Sequence, residues 1–316
     1  MKKIIVFTLF VTIFSSYGQS YKELIKKADS CYQATNFKSS TDFFAKAFKI
    51  ESKNPNTLYN GACAAALAND KKNAFTWLNL SVDNGWTNLE HLKTDSDLTN
   101  LYSDKKWNIV VKKLEKKLEF LEANYDKPLQ KELLEIYKDD QVERLLLNSA
   151  DKKGVYYGKK IDSLWKIIKF KDSINLIKII KILDTKGWVG KDKIGQQANS
   201  TLFLVIQHSD LAIQQKYLPM MKEAVKKGNA DASSLALLED RIALREGRKQ
   251  IYGSQIGTNL KTNTQYVLPL EDPDNVNKRR EEVGLDSIEE YIKNWNLTWN
   301  VEQYKKDLPE LEKMTK

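Results

Sequence analysis

Apolar residues recur along most of the chain at the three- and four-residue spacing that one face of an α-helix requires. The pattern predicts helices over 107–118, 129–148, 161–170, 172–184, 195–207, 211–227 and 235–246. Gly and Pro number only 13 and 6, which disfavours a loop-rich β-protein. We therefore expect an all-α, mostly helical protein with at most one small β-hairpin, and 251–257 and 265–270 form either that hairpin or an extended flap.

Two stretches in the first third of the chain, 21–54 and 55–88, resemble each other at an offset of about 34 residues. The matched pairs are Leu24 with Leu58, Ala28 with Ala62, Ser40 with Ala74, Phe44 with Leu78 and Ala47 with Ser81. This period and these positions resemble the tetratricopeptide repeat, in which small side chains let paired helices approach closely. Residues 19–122 are therefore expected to form a short helical solenoid, closed by 89–121. The resemblance implies either a peptide-binding module or a structural platform.

The N-terminal residues 1–18 have the three parts of a secretory signal peptide. Lys2 and Lys3 are followed by an apolar run over 4–14, and Ser16 and Gly18 provide small residues before a cleavage point at Gln19. The apolar run is too short to span a bilayer, and no later segment has about 18 consecutive apolar residues. We expect an exported, periplasmic or extracellular protein of a bacterium that does not span the membrane after cleavage.

Charge and cysteine content limit the partners and cofactors. The net charge is +9. An exported basic protein is expected to meet anionic envelope polymers or lipid headgroups rather than nucleic acid. Cys31 and Cys63, the two cysteines, have no zinc-site spacing, and they form either a disulfide or two buried free thiols. No metal and no cofactor are expected.

Polar and charged side chains interrupt apolar stretches between 188 and 255, and such groups are costly to bury unless they are paired or take part in chemistry. The candidate binding residues are Trp188, Gln207, His208, Asp210, Asp240, Arg241, Gln250, Tyr252 and Gln255. The candidate catalytic residues among them are His208, Asp240, Arg241 and Tyr252. The segment therefore contains either a structural polar network or a functional site.

The residue types leave two interpretations open at each position. His208 follows an apolar helix and is either a general acid or base, oriented by Asp210 or Asp240, or a histidine held by a carbonyl group. Asp210 is more simply the N-cap of the next helix. Arg241 either clamps a carboxylate or phosphate of a ligand or ties the loop around Tyr252 to the helices, and the second interpretation is favoured.

The order of these motifs resembles an uncharacterised bacterial domain family, a domain of unknown function. Its members carry a QHxD element, a DR element and a YG(T/S)Q element, matched here at Gln207–Asp210, at Asp240–Arg241 and at 252–255. A segment like 279–285 often follows. The resemblance covers about the last 190 residues, supports a helical domain over 123–316 and implies no chemistry.

The expected function is that of an exported envelope binding or scaffolding protein with a protein, peptide or anionic polymer as partner. A complete catalytic signature such as GxSxG, HExxH or a phosphate-binding loop is missing from the sequence. The alternative is a hydrolase-type enzyme that uses His208, Asp240, Arg241 and Tyr252.

Overall fold

The computed structural model describes residues 20–153, 159–259, 262 and 264–314. The predicted signal peptide lies outside these residues. The chain divides into two compact units between Ala123 and Asn124. Each unit has its own hydrophobic core.

The first unit begins with two helical pairs. They are α1 (20–33), α2 (Phe37–Ile50), α3 (Pro55–Leu67) and α4 (Lys71–Asp83). The turn inside each pair is built in the same way. Thr35 and Asn69 have positive φ angles of 56° and 60°, and Asn36 and Asp70 then accept a backbone N–H as N-caps of α2 and α4.

Nine of the ten residues matched at the 34-residue offset are buried, and Leu24 is partly buried. Ala28, Ala62 and Ala74 are fully buried, as is Ser40, whose hydroxyl donates to the carbonyl of Ala28 at 2.8 Å. The remaining elements of the unit are α5 (Leu89–Thr94), a 3-10 helix (Ser96–Leu101) and α6 (Lys105–Glu122). They complete the core with Leu92, Leu98, Leu101, Trp107, Val110 and Leu114.

The second unit has a layer of helices around one large core. Its helices are α7 (Lys127–Lys153), α8 (Lys159–Lys186), α9 (Lys191–Ile194), α10 (Gln196–His208), α11 (Leu211–Lys226) and α12 (Ala232–Arg245). Helix α10 packs against α7, α8, α9, α11 and α12, which explains why its apolar run is almost continuous. The polar end of α10, at Gln207 and His208, therefore lies where several helices meet.

The chain after α12 forms a smaller layer with a core of its own. Its elements are β1 (Ile256–Asn259), β2 (Thr264–Val267), a 3-10 helix (Pro273–Asn275), α13 (Val276–Glu282), α14 (Ile288–Tyr291), a 3-10 helix (Ile292–Trp295) and α15 (Val301–Met314). The two strands pair antiparallel, with Ile256 opposite Val267 and Asn259 opposite Thr264. An isolated parallel bridge joins Gln250 to Leu270.

The prediction of an all-α fold with at most one small hairpin is confirmed: the described residues are mostly helical and contain one two-stranded sheet.

The prediction of separate helices over 161–170 and 172–184 is wrong, because α8 is continuous. Asp172 lies inside α8, and its carboxylate accepts from Arg144 on α7. Cys31 and Cys63 are free thiols. Among the described helices, none combines the length and apolar character needed to cross a bilayer.

Candidate functional site

The 250–255 loop, which follows α12, is held by the carboxylate of Asp240. This side chain is fully buried on α12. Its Oδ1 accepts the backbone N–H groups of Ile251 at 2.6 Å and Tyr252 at 2.9 Å, and its Oδ2 accepts that of Ser254 at 2.9 Å. Burial raises the pKa of Asp240, and the three backbone donors act in the opposite direction. Both carboxylate oxygens of Asp240 are thus bound by backbone donors of the loop.

Gly253 and Gln250 complete the shape of this loop. Gly253 has a φ of +68°, which strains any other residue, and a Cβ there would lie 2.8 Å from Cδ1 of Ile288, which would have to shift. Gln250 is fully buried. Its Nε2 donates to the carbonyls of Leu268 and Gln255, and its Oε1 accepts the N–H of Gln255 at 2.8 Å.

Arg280 and Tyr291 hold the same loop from the small layer. Arg280 is 1% exposed and donates to the carbonyl oxygens of Tyr252 at 2.6 Å and Asp286 at 2.5 Å. Its guanidinium lies 4.7 Å from the centre of the Tyr291 ring, and the Tyr291 hydroxyl donates to the carbonyl of Ser254. Burial lowers the pKa of Arg280. The loop is therefore fixed on two sides.

Arg241 follows Asp240 on α12 and has a different environment. Its Nη1 donates to the carbonyl of Gln207 at 3.0 Å, and its Nε donates to Oε1 of Gln255 at 3.3 Å. Both acceptors are neutral. Among the described residues no carboxylate forms a salt bridge with this guanidinium. Burial, with the charges of Arg245 and Arg144 nearby, lowers the pKa of Arg241 to about 10.

His208, at the end of α10, contacts a carboxylate from α7. Its Nδ1 lies 3.0 Å from Oδ1 of Asp140, which is 1% exposed, while the imidazole is 19% exposed. The carboxylate that orients His208 is thus Asp140, and neither Asp210 nor Asp240 does so. Burial alone raises the pKa of Asp140, but His208, Arg144 and Gln141 together hold it below its usual value.

Arg144 links this pair to α8. Its Nη2 donates to both carboxylate oxygens of Asp172, at 2.9 and 2.8 Å, and its Nη1 donates to the backbone carbonyl of Asp140. Ligand atoms of Asp140, Asp172 and His208 lie within 4.8 Å of one another, a spacing that suits a metal ion. The single positive charge of Arg144 lies 3.4 Å from Asp140 and 2.8 Å from Asp172, so it offsets part of the negative charge that would attract a metal ion there.

The other candidate residues from the sequence have structural contacts. Asp210 caps α11 by accepting the N–H of Ile213 at 2.9 Å. Trp188 is buried in the main core, and its Nε1 has no hydrogen-bond partner among the described residues. The Tyr252 hydroxyl faces Glu239 at 3.5 Å, and the Tyr252 carbonyl accepts from Arg280. The structure thus brings Gln207, Arg241 and Gln255 into direct contact, whereas Trp188 and Asp210 make separate contacts.

Gln207 and Gln214 add unpartnered polar atoms near Arg241. The carbonyl of Gln207 accepts both from Arg241 and from Nε2 of Gln214, which is fully buried on α11. The side-chain oxygens Oε1 of Gln207 and Gln214 are buried and have no described donor. Buried acceptors of this kind ordinarily bind a donor or a water molecule.

Residues that the sequence did not mark as candidates complete the arrangement: Asp140, Arg144, Asp172, Arg280 and Tyr291. One signal was present, because Asp140 and Arg144 stand one turn apart on the same helix. Their link to His208 spans 68 residues and has no local signature.

The first unit has a cavity of about 480 Å³ that contains a second polar cluster. There the Oδ2 of Asp95 accepts from the hydroxyl of Tyr59 at 2.7 Å and from the thiol of Cys63 at 3.6 Å, and Asp97 accepts from the hydroxyl of Tyr32. Burial raises the pKa of the Cys63 thiol, so the thiol is protonated and weakly nucleophilic at neutral pH. The tyrosines satisfy the carboxylates in this cavity.

We expect Asp240→Asn to lower the free energy of unfolding by about 3 kcal/mol, because the amide has one acceptor oxygen where the carboxylate has two. In the variant, at least one backbone N–H of the 250–255 loop faces the side-chain NH₂ group of Asn and loses its acceptor. Urea unfolding at pH 7 measures the change. Asp231→Asn is the control, because Asp231 is partly exposed and the loss there should stay below about 1 kcal/mol. Equal losses in the two variants would contradict a structural role for Asp240.

Asp140→Asn should lower the free energy of unfolding at pH 7 by about 3 kcal/mol, because it leaves Arg144 without part of its charge partner. The folded pKa of Asp140 is lowered, so its stabilisation is complete above the unfolded value of about 4 and declines as the pH falls below it. The difference between wild type and variant should therefore shrink as the pH falls from 5 toward 3. A difference that grows between pH 5 and pH 3 would disprove the assignment.

Comparison with known proteins gives one result. No curated protein matches the chain, and no solved structure matches it. A family model matches residues 127–302, which covers more than half of the chain and includes the 250–255 loop, Arg241, His208 and Asp140. The chain belongs to the family of unknown function DUF6624.

Proposed function

We propose that this protein is an exported envelope binding protein whose second unit binds an anionic ligand at Arg241. The observation behind the proposal is that the Arg241 guanidinium is partly buried and has no carboxylate partner among the described residues. A buried charge without a counter-charge is costly, and folded proteins retain one mainly where it has a task.

The electrostatics around Arg241 favour an oxyanion. Arg245 and Arg144 both lower its pKa, so the local potential is positive. Arg144 has Asp140 and Asp172 as partners, but Arg241 contacts only neutral oxygens. A carboxylate or phosphate group would supply the missing negative charge and accept the Nη2 hydrogens, for which the described residues provide no acceptor.

The surroundings of Arg241 are rigid, which reduces the entropic cost of binding. The Gln255 amide that contacts Arg241 belongs to the loop held by Asp240, and the Gln207 carbonyl is also fixed by Gln214. His208 adjoins Gln207 and supplies a second polar group that is partly open to solvent. Such a pre-formed set of polar groups suits a binding site.

Two parts of the proposal rest on the sequence alone. Export rests on the signal-peptide pattern of 1–18. The tetratricopeptide-like character of 19–122 rests on the 34-residue offset, and it supports a platform or a module that contacts a protein or peptide partner. A basic protein in this compartment is suited to anionic polymers of the envelope.

Arg241→Met tests the proposal with inorganic phosphate as the probe. Phosphate at ten times its dissociation constant should stabilise the wild type by about 1.4 kcal/mol relative to NaCl of equal ionic strength. The variant should lose this stabilisation, yet without phosphate its free energy of unfolding should change by less than about 1 kcal/mol, because an uncompensated buried charge is removed together with its two hydrogen bonds.

The control is Arg248→Met, because Arg248 is exposed and paired with Glu246. It should keep the phosphate effect. Acetate in place of phosphate tells whether a carboxylate suffices. Two results would refute the proposal: no stabilisation of the wild type by either anion, or a loss of more than about 3 kcal/mol in Arg241→Met, which indicates a structural tie.

A second candidate function is hydrolysis, with His208 as general base. The observation that favours it is the pairing of Nδ1 with the buried Asp140 carboxylate, which orients the ring and leaves Nε2 without a described partner. Asp240 has no direct part in this arrangement, because its oxygens are bound to the 250–255 loop. Arg241 would bind the anionic part of the substrate.

His208→Gln tests this candidate with p-nitrophenyl acetate and p-nitrophenyl phosphate as substrates. Turnover of the wild type should fall by about 100-fold or more in the variant, in line with the loss of a general base. His91→Gln, which changes the other histidine of the chain, should leave turnover unchanged. A wild type no faster than buffer, or equal rates in the two variants, would rule out His208-dependent hydrolysis of these esters.

A further inference from the structure

Helix α8 carries a stripe of exposed apolar side chains, here called the α8 stripe: Ile167, Phe170, Ile174 and Ile177. Their exposed fractions are 41%, 66%, 38% and 70%. The spacing of three, four and three residues places all four on one side of the helix. The opposite side, with Ile168, Ile179 and Leu183, is buried. A soluble surface rarely leaves a contiguous apolar strip of this length without a partner.

Lysines surround the α8 stripe. Between residues 163 and 183 there are five lysines and one acidic residue, Asp172. Asp172 is bound by Arg144, and Lys171 is bound by Glu143 and Asp139. The remaining four lysines have no carboxylate partner among the described residues: Lys166, Lys169, Lys178 and Lys181. The stripe therefore lies in a field of uncompensated positive charge.

We propose that the α8 stripe binds the surface of an anionic lipid bilayer, with α8 parallel to the membrane plane. The four apolar side chains would enter the boundary between headgroups and acyl chains, and the unpaired lysines would contact lipid phosphates. Apolar insertion and lysine–phosphate attraction act together in this orientation, so neither has to provide all of the affinity. The site is separate from Arg241 and does not depend on the function proposed for it.

The positive charge around the α8 stripe distinguishes an anionic membrane from a second copy of this chain as its partner. A second copy of this chain, docked through the same face, would place its lysines against the lysines of the first copy, and such a pairing is repulsive. A bilayer with acidic headgroups presents negative charge over the whole length of the helix. The headgroup charge is opposite in sign to the lysines and extends along the whole helix, and both properties favour a lipid surface as the partner of the α8 stripe.

Co-sedimentation of the full chain with vesicles tests the apolar part. Vesicles of phosphatidylcholine with 30% phosphatidylglycerol should bind the wild type, and vesicles of pure phosphatidylcholine should bind at least about tenfold more weakly. The double substitution Phe170→Ser and Ile177→Ser should reduce binding to the anionic vesicles by at least about tenfold. Phe120→Ser is the matched control, because Phe120 is 80% exposed in the first unit, and it should bind like the wild type.

A charge variant tests the lysines. Changing Lys166, Lys178 and Lys181 to Gln should weaken binding to the anionic vesicles by about tenfold or more and make it less sensitive to salt between 50 and 500 mM NaCl. The same number of charges removed from α1, at Lys22, Lys26 and Lys27, should have a much smaller effect. Circular dichroism confirms that each variant is folded, which is expected because all these side chains are exposed.

Three results would overturn the proposal. The first is wild-type binding to anionic vesicles no stronger than to neutral ones. The second is an equal loss of binding in the α8 variants and their controls. The third is a dimer, found by light scattering, that the Phe170 and Ile177 substitutions dissociate, since this would identify a second copy as the occupant.

Discussion

In the second unit, three backbone amides of the 250–255 loop donate to the single carboxylate of Asp240, and this contact joins the helical layer to the small layer that follows it. Burying an acid is unfavourable unless donors surround it, and here the donors are supplied by the chain itself. The loop then provides carbonyl oxygens for Arg280 and for Tyr291. This one carboxylate thus holds the loop to which Arg280 and Tyr291 of the C-terminal layer bind.

Because Asp240 is bound by the loop, it does not serve as a charged partner for Arg241. Asp240 and Arg241 are neighbours on one helix, yet the acid is fully used by the loop and the guanidinium is left with neutral oxygens. Two adjacent charged residues thus have different environments: the acid is bound by backbone donors, and the guanidinium contacts neutral oxygens only. Their different directions on α12 explain the difference, since successive helical residues point about 100° apart.

Local patterns in the sequence predicted the helical class and the positions of most helices, because apolar spacing reports which side of a helix is buried. They also marked Gln207, His208, Asp240 and Arg241 as polar groups in apolar surroundings. The break predicted before Asp172 was wrong, since a side chain that bonds to another helix looks in sequence like an N-cap. The partner of His208 was missed because Asp140 lies on a helix far away in the chain. Periodicity identifies buried faces but does not say which faces meet.

The carbonyl oxygen of Gln207 accepts from α11 and α12 at once, and the next residue, His208, reaches α7. The partners lie 68 residues before His208 and 34 residues after Gln207. Contacts between such distant segments close large loops and form late in folding, after local helices exist. The imidazole should therefore gain its fixed orientation only in the last stage of folding, when four separate helices have docked.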